Sequence, residues 1–319
     1  MAFLKRIGAV IFSYASLMIL AVGAGLLFPA WTGILSSQSS LFLQGIFFLA
    51  GLSLHPKDSK HALAQPVRFL CANVVMLIVF PVCAYWIARV ISPSSATAIM
   101  LLGAMPTAMS APFFTALANG SLEIALALTV STSVLAPFTI PLVAAITVGQ
   151  TVAIDFVSMI QNLVLIMILP LALAQVLRVC VGGRTVDRIL PLAKPTSTTL
   201  LALLIAGVVA QYAEQIRANI HLSLLGHIGI LLLFGVLAHA AGYAVGIGRP
   251  RAERIAYTAS LAYMNVVLAV YVASRYFPEY PTPLLTVVAF IIWTFAFVFF
   301  KTAVEKHFDE KIGRVLIMH

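Results

Sequence analysis

Apolar residues run along this chain in long blocks broken by short polar or charged punctuation. Ten blocks can be drawn, at 9–31, 41–54, 67–91, 96–118, 121–148, 153–180, 194–213, 222–247, 254–276 and 283–304. Most approach the roughly 20 residues that a helix needs to cross a bilayer. They show no strict apolar–polar alternation, so the pattern predicts helices rather than an outer-membrane barrel. The first 20 residues resemble a signal peptide, with Lys5 and Arg6 ahead of an apolar stretch. That stretch runs on to about Ala30 with no polar break after a small-residue site, so it reads as an uncleaved first helix.

Composition agrees. Of 319 residues 62% are hydrophobic and 9% charged, against about 25% charged in an ordinary soluble domain. A soluble protein of this size could not hide so much apolar side chain. This excludes a cytosolic enzyme, a nucleic-acid binder and a disulfide-built secreted domain, and makes the lipid bilayer the chain's main partner. Cys71, Cys83 and Cys180 form no CxxC pair and no metal spacing.

The net charge of +9 is best read as topology. Ten spans put both termini on one side, together with sixteen of the 19 Lys and Arg residues; only Arg89, Arg217 and Arg275 fall opposite. By the positive-inside rule both termini are cytoplasmic, in a bacterial-type inner (plasma) membrane. The chain divides near Gln150 into two halves of five spans, 1–150 and 151–319. Five is odd, so the halves have opposite orientation, as in the inverted repeats of secondary transporters.

In such folds the binding site lies where helices are broken at mid-membrane. Span 4 carries Gly103, Pro106, Thr107, Ser110 and Pro112, and two prolines six apart remove two backbone donors. Span 9, also fourth in its half, is the most polar stretch there, with Tyr257, Thr258, Ser260, Tyr263 and Asn265. Both are expected to be unwound, near Pro106–Pro112 and Ser260–Asn265. The other reading is a proline-kinked helix and a helix with some interhelical hydrogen bonding.

These residues resemble the bile acid:sodium symporter family over most of the chain. Gly51 to Asp58 is similar to its "GLxLxxxD" end of helix 2. Gly103 to Pro106 and Leu117 to Ser121 resemble its helix 4 crossing, Thr129 to Pro141 its helix 5, and Leu237 to Tyr243 its "LHNxxGY" in helix 8. The resemblance implies an all-α integral membrane fold of ten helices in two inverted five-helix repeats. Spans 1, 2, 6 and 7 would form a panel and spans 3, 4, 5, 8, 9 and 10 a core. Helices 4 and 9 would cross at their breaks, with substrate entering between panel and core.

The family's sodium ligands are mostly replaced. Ala111 and Pro112 stand where the family has Ser and Asn; Ala125 and Thr129 where it has Ser and Thr; Ser260 and Met264 where it has Glu and Gln; and Met76 where it has Gln. Only Thr129 keeps its type. Sodium needs about five or six oxygens and usually a balancing carboxylate, and all ten acidic residues fall in loops or at span ends. The residues argue against two-sodium coupling.

The candidate substrate-binding set is Asn73, Thr107, Ser110, Pro112, Thr115, Thr129, Ser133, His239, Ser260 and Asn265. It is polar and uncharged, and beside broken-helix N-termini it suits an anionic group. The alternative for each residue is interhelical hydrogen bonding. His239, near the middle of span 8, could carry a proton, or stay neutral and bond a backbone carbonyl. Gln161 and Asn162 in span 6 could face the groove. The Phe290–Phe300 stretch with Trp293 reads as lipid-facing or packing residues, and the charged run from Lys301 as a cytoplasmic extension.

The sequence therefore reads as a secondary transporter for a small organic, anionic solute, without cofactor, working by alternating access. Its rivals are an exporter of the auxin-efflux or arsenite type, and a channel or sensor that transports nothing. The arsenite branch would want a thiol at the helix 4 break, a channel rings of charge, and a sensor a soluble output domain.

Overall fold

The computed structural model describes residues 14–54, 66–149, 155–218, 223–279 and 281–293, and among them every regular element is helical. The expected cytoplasmic extension from Lys301, and Lys5, Arg6, Lys57 and Lys60, lie outside the described residues. The helices are α1 (Tyr14–Leu27), α2 (Pro29–Ser53, with a 3-10 stretch at Gly33–Gln38), α3 (Pro66–Ile91), α4 (Ala96–Ala104), α5 (Ala111–Leu117) and α6 (Leu122–Thr147). After these come α7 (Phe156–Val181), α8 (Gly183–Gln211), α9 (Ala213–Ala218), α10 (Ser223–Val245), α11 (Arg251–Ala262), α12 (Val266–Tyr276) and α13 (Thr282–Trp293).

Among the described residues six helices, in α2, α3, α6, α7, α8 and α10, are long and apolar enough to cross a membrane, and α1, α4, α12 and α13 are shorter apolar helices. Lipid supplies no hydrogen bonds, so each helix must satisfy its own backbone. Two prolines test this. Pro81 and Pro170 each follow a five-residue π turn, Val75–Val79 and Val164–Ile168. A proline ring collides with the carbonyl four residues back. Widening the preceding turn makes room and keeps the helix continuous.

The expected start of span 7, at 194, is too late: α8 begins at Gly183 and passes through Pro191 and Pro195. The charges of this first part hid it from an apolar pattern. Asp187 pairs with Arg178 of α7 at 2.8 Å, and Arg178 also donates to Leu52 O at the end of α2 at 2.7 Å. Gln175 adds bonds to Gly51 O (2.6 Å) and Leu54 O (3.2 Å). The last carbonyls of α2 are thus capped by α7 side chains. Asp155 caps the start of α7; the hydroxyl and amide of Ser158, then the Val157 amide, hold its carboxyl below the usual carboxylate range.

Arg178→Ala should lower the thermal midpoint of the detergent-solubilised protein. Arg178 is only 8% exposed, and a hydrogen bond to a charged group contributes about 1.5–3 kcal/mol. An unchanged midpoint would show that the α2 carbonyls do not need it.

Packing follows two groupings. α8 lies along α1 and α2, and α2 along α7; α3 packs on α4, α10 on α11, and α6 on α4, α5 and α11. Small residues permit the closest approaches, as at Gly25 against Ala206 O and Gly207 against the backbone of Leu35 and Ser36.

Candidate functional site

The two stretches expected to unwind are both interrupted, and they touch. α4 ends at Ala104 with Met105 extended (φ −72°, ψ 145°), because a residue before proline is pushed out of the helical region. Pro112 has the opposite role. It sits in the first turn of α5, where a missing N–H costs nothing. α11 ends at Ala262 and α12 begins at Val266 without any proline. Here Asn265 makes the restart, its Oδ1 accepting from Leu268 N at 3.1 Å as an N-cap.

The segments run antiparallel with Thr107 opposite Met264. Asn265 N donates to Pro106 O and Ala108 N to Tyr263 O, both at 2.8 Å. Side chains satisfy three further backbone groups. Thr107 Oγ1 donates to Ser260 O at 2.9 Å, and Thr107 N donates to Thr132 Oγ1 at 3.1 Å. Trp293 Nε1 donates to Ala262 O at 3.2 Å. Ser260 Oγ is 1% exposed and has no hydrogen-bond partner. The crossing is therefore a short two-stranded contact inside a helical protein. Its cohesion comes from the backbone groups the breaks set free.

The candidate residues divide. Thr107, Ser260 and Asn265 meet at the crossing, and Ser110 and Pro112 belong to its span 4 segment. Thr115, Thr129 and Ser133 are buried, their hydroxyls donating to Ala111 O, Ala125 O and Thr129 O of their own helices. Asn73 is buried and exchanges hydrogen bonds with Ser131, joining α3 to α6. His239 is exposed on α10; its Nδ1–H donates to Gly235 O at 2.7 Å, and its ring stands edge-on to Tyr263, centroids 5.8 Å apart. Tyr263 in turn stacks on Phe114 at 3.8 Å. His239 thus does bond a carbonyl, of its own helix rather than a neighbour, and also leans on the break. Asn162 bonds Tyr271 OH at 3.1 Å and Tyr276 OH at 2.7 Å, while Gln161 is exposed.

Two crossing residues escaped the sequence reading. Thr132 had a signal, since it lies on the same polar run as Thr129 and Ser133. Trp293 had none: it packs near Phe234, and its indole N–H also caps α11. Among the described residues no three of His, Cys, Asp and Glu gather as a metal site. The oxygens at the crossing are carbonyls, hydroxyls and the Asn265 amide.

The chain is similar to a probable sodium/metabolite cotransporter of chloroplasts, BASS1, from Oryza sativa subsp. japonica, at 24% identity over 236 residues. The match covers 71% of this chain and 56% of that protein. The Arabidopsis thaliana protein of the same description is 22% identical over 235 residues, with the same two shares. The chain thus spans little more than half the length of these plant relatives. An uncharacterized Bacillus subtilis protein, YbaS, is 22% identical over 239 residues, 73% of this chain and 78% of its own length. The family model of the SBF-like CPA transporters matches residues 13–309, which bears out the resemblance to the bile acid:sodium symporters: this multi-pass membrane protein belongs to the SBF-like CPA transporter family.

Proposed function

We propose that the protein is a secondary transporter carrying a small organic anion across a bacterial-type inner membrane by alternating access. The observation that carries this reading is the crossing. α12 opens there with an Asn265 cap, beside Thr107 and the unpartnered Ser260 hydroxyl. A helix N-terminus presents partial positive charge, so an anion can be held without a basic side chain that would be costly in lipid.

The topology follows from the same parts. Six long helices, the shorter α1 and α13, and the broken pairs α4–α5 and α11–α12 would make ten crossings. They form inverted halves, 1–150 and 151–319, with both termini cytoplasmic. The packing of α1, α2, α7 and α8 on one another supports a panel, and that of α3 to α6 and α10 to α12 a core. Solute would enter the groove between them.

Coupling is not by the two-sodium route. Thr129 is the one retained side chain; its hydroxyl donates to Ala125 O and keeps its lone pairs, so it would supply a single ligand, and all ten acidic residues fall in loops or at span ends. A poorly coordinated ion in a low-dielectric site costs several kcal/mol. His239 is the proton-carrying candidate beside Tyr263. The names of the plant relatives favour the second reading, sodium coupling.

Uptake into proteoliposomes over a panel of carboxylates, with sodium replaced by choline, separates the two. Transport should persist in choline, and His239→Gln should remove any acceleration by an imposed proton gradient. Uptake that collapses in choline, with a steep dependence on sodium, would restore the family's ordinary coupling. Failure to transport under any gradient would remove the carrier reading itself.

A further inference from the structure

A second polar cluster stands away from the crossing, made by three helices that the sequence does not connect. Tyr271 of α12 is 3% exposed. Its hydroxyl meets Ser40 Oγ of α2 at 2.9 Å and Asn162 Nδ2 of α7 at 3.1 Å. The same amide donates to Tyr276 OH at 2.7 Å. Tyr212 OH, at the end of α8, makes a longer contact of 3.5 Å with Ser274 O. All four contacts join α2, α7 or α8 to α12.

Their position is what gives them meaning. Tyr271 and Tyr276 lie six and eleven residues beyond Asn265, about 9 Å and about 16 Å along the helix axis. They are thus on one side of the crossing, towards the end of α12 that carries Arg275. On the other side the polar groups of α7 turn inward: Gln175 and Arg178 bond the end of α2, and Arg178 pairs with Asp187 of α8.

We infer that Ser40, Asn162, Tyr271 and Tyr276 form a hydrogen-bonded latch that closes the groove on the Arg275 side of the crossing and must open in each transport cycle. The inference rests on the panel-and-core reading above, in which that side is the outer face. A hydroxyl–amide cluster suits a latch because each bond is individually weak in a membrane protein. Several together hold a closed state that can still be released, which a buried ion pair would resist.

The test reads access from the two sides. Cys71, Cys83 and Cys180 are free and exposed, so they are first replaced by Ser. Ser110→Cys then serves as a reporter in the crossing, in sealed vesicles of known orientation treated with a membrane-impermeant maleimide from either side. Tyr271→Phe removes two of the latch bonds and little volume. It should raise labelling from the Arg275 side about fivefold or more and lower it from the opposite side. Ser40→Ala should move both rates the same way by a smaller factor, and carries the test if Tyr271→Phe does not fold. Labelling that is unchanged in both variants, or altered equally from both sides, overturns the latch while leaving the carrier reading intact. A reporter that reacts from neither side with the latch intact or removed would overturn both, because the crossing would then have no access route.

Discussion

Gly242→Leu should yield almost no folded protein, whereas Gly229→Leu on the same helix should yield nearly as much as the parent. A Cβ at 242 would lie 2.7 Å from Thr258 Cα, 2.9 Å from Tyr257 O and 3.1 Å from Thr258 O, all of them backbone atoms of α11. At 229 nothing lies within 4 Å. Side chains can rotate away from an added methyl, but a helix backbone has to move as a body. Overpacking typically costs about 1–3 kcal/mol, and a rigid obstacle puts this site at the upper end. The displaced element is α11, whose last carbonyls, at Ser260, Ala262 and Tyr263, are all bonded at the crossing. Shifting it loosens those bonds as well. Folded yield after solubilisation, read by gel filtration and thermal midpoint, decides the matter. If the two variants behave alike, close α10–α11 packing does not hold the crossing in place.

Asn265→Ala should cut transport at least about tenfold while leaving the protein folded. The variant keeps the backbone bond from residue 265 to Pro106 O and loses only the side chain. The cap on Leu268 N is worth about 1 kcal/mol, a small part of the stability of a protein with so much buried apolar surface. What goes with it is the amide at the opening of α12, where the proposed anion binds; losing about 1.4 kcal/mol of that interaction is tenfold in affinity. Two further variants separate capping from binding. Asn265→Ser keeps a capping oxygen and should retain part of the activity. Asn265→Asp caps at least as well, yet places negative charge against an anionic solute, and should be as inactive as Asn265→Ala. An active Asn265→Asp would show that position 265 matters only as a cap and that the solute is bound elsewhere.

Much of this was legible in the linear sequence, and the reasons are local. A helix closes its hydrogen bonds within four residues, so a run of apolar side chains already states that a segment can sit in lipid. The break in span 4 was readable because proline acts on its own neighbours: Pro106 pushes Met105 out of the helix and Pro112 starts the next one. The break in span 9 was readable only by its matching place in the second half and its polar content. The extent of α8 was misjudged because Asp187, Arg184 and Arg188 look like a loop until Arg178 is brought beside Asp187.

The partners of the groups set free at the breaks belong to the tertiary structure alone. Thr132 and Trp293 come from two different helices and Thr107 from the break itself, and which backbone group each reaches depends on helix rotation and depth. No sequence spacing encodes either. The same holds for Tyr271, an ordinary aromatic in an apolar run until Ser40 and Asn162 arrive from 231 and 109 residues away. Apolar periodicity and proline placement determined where helices run and where one of them stops. Long-range hydrogen-bond satisfaction, forced by a solvent that offers no bonds of its own, decided what the stopped ends hold on to.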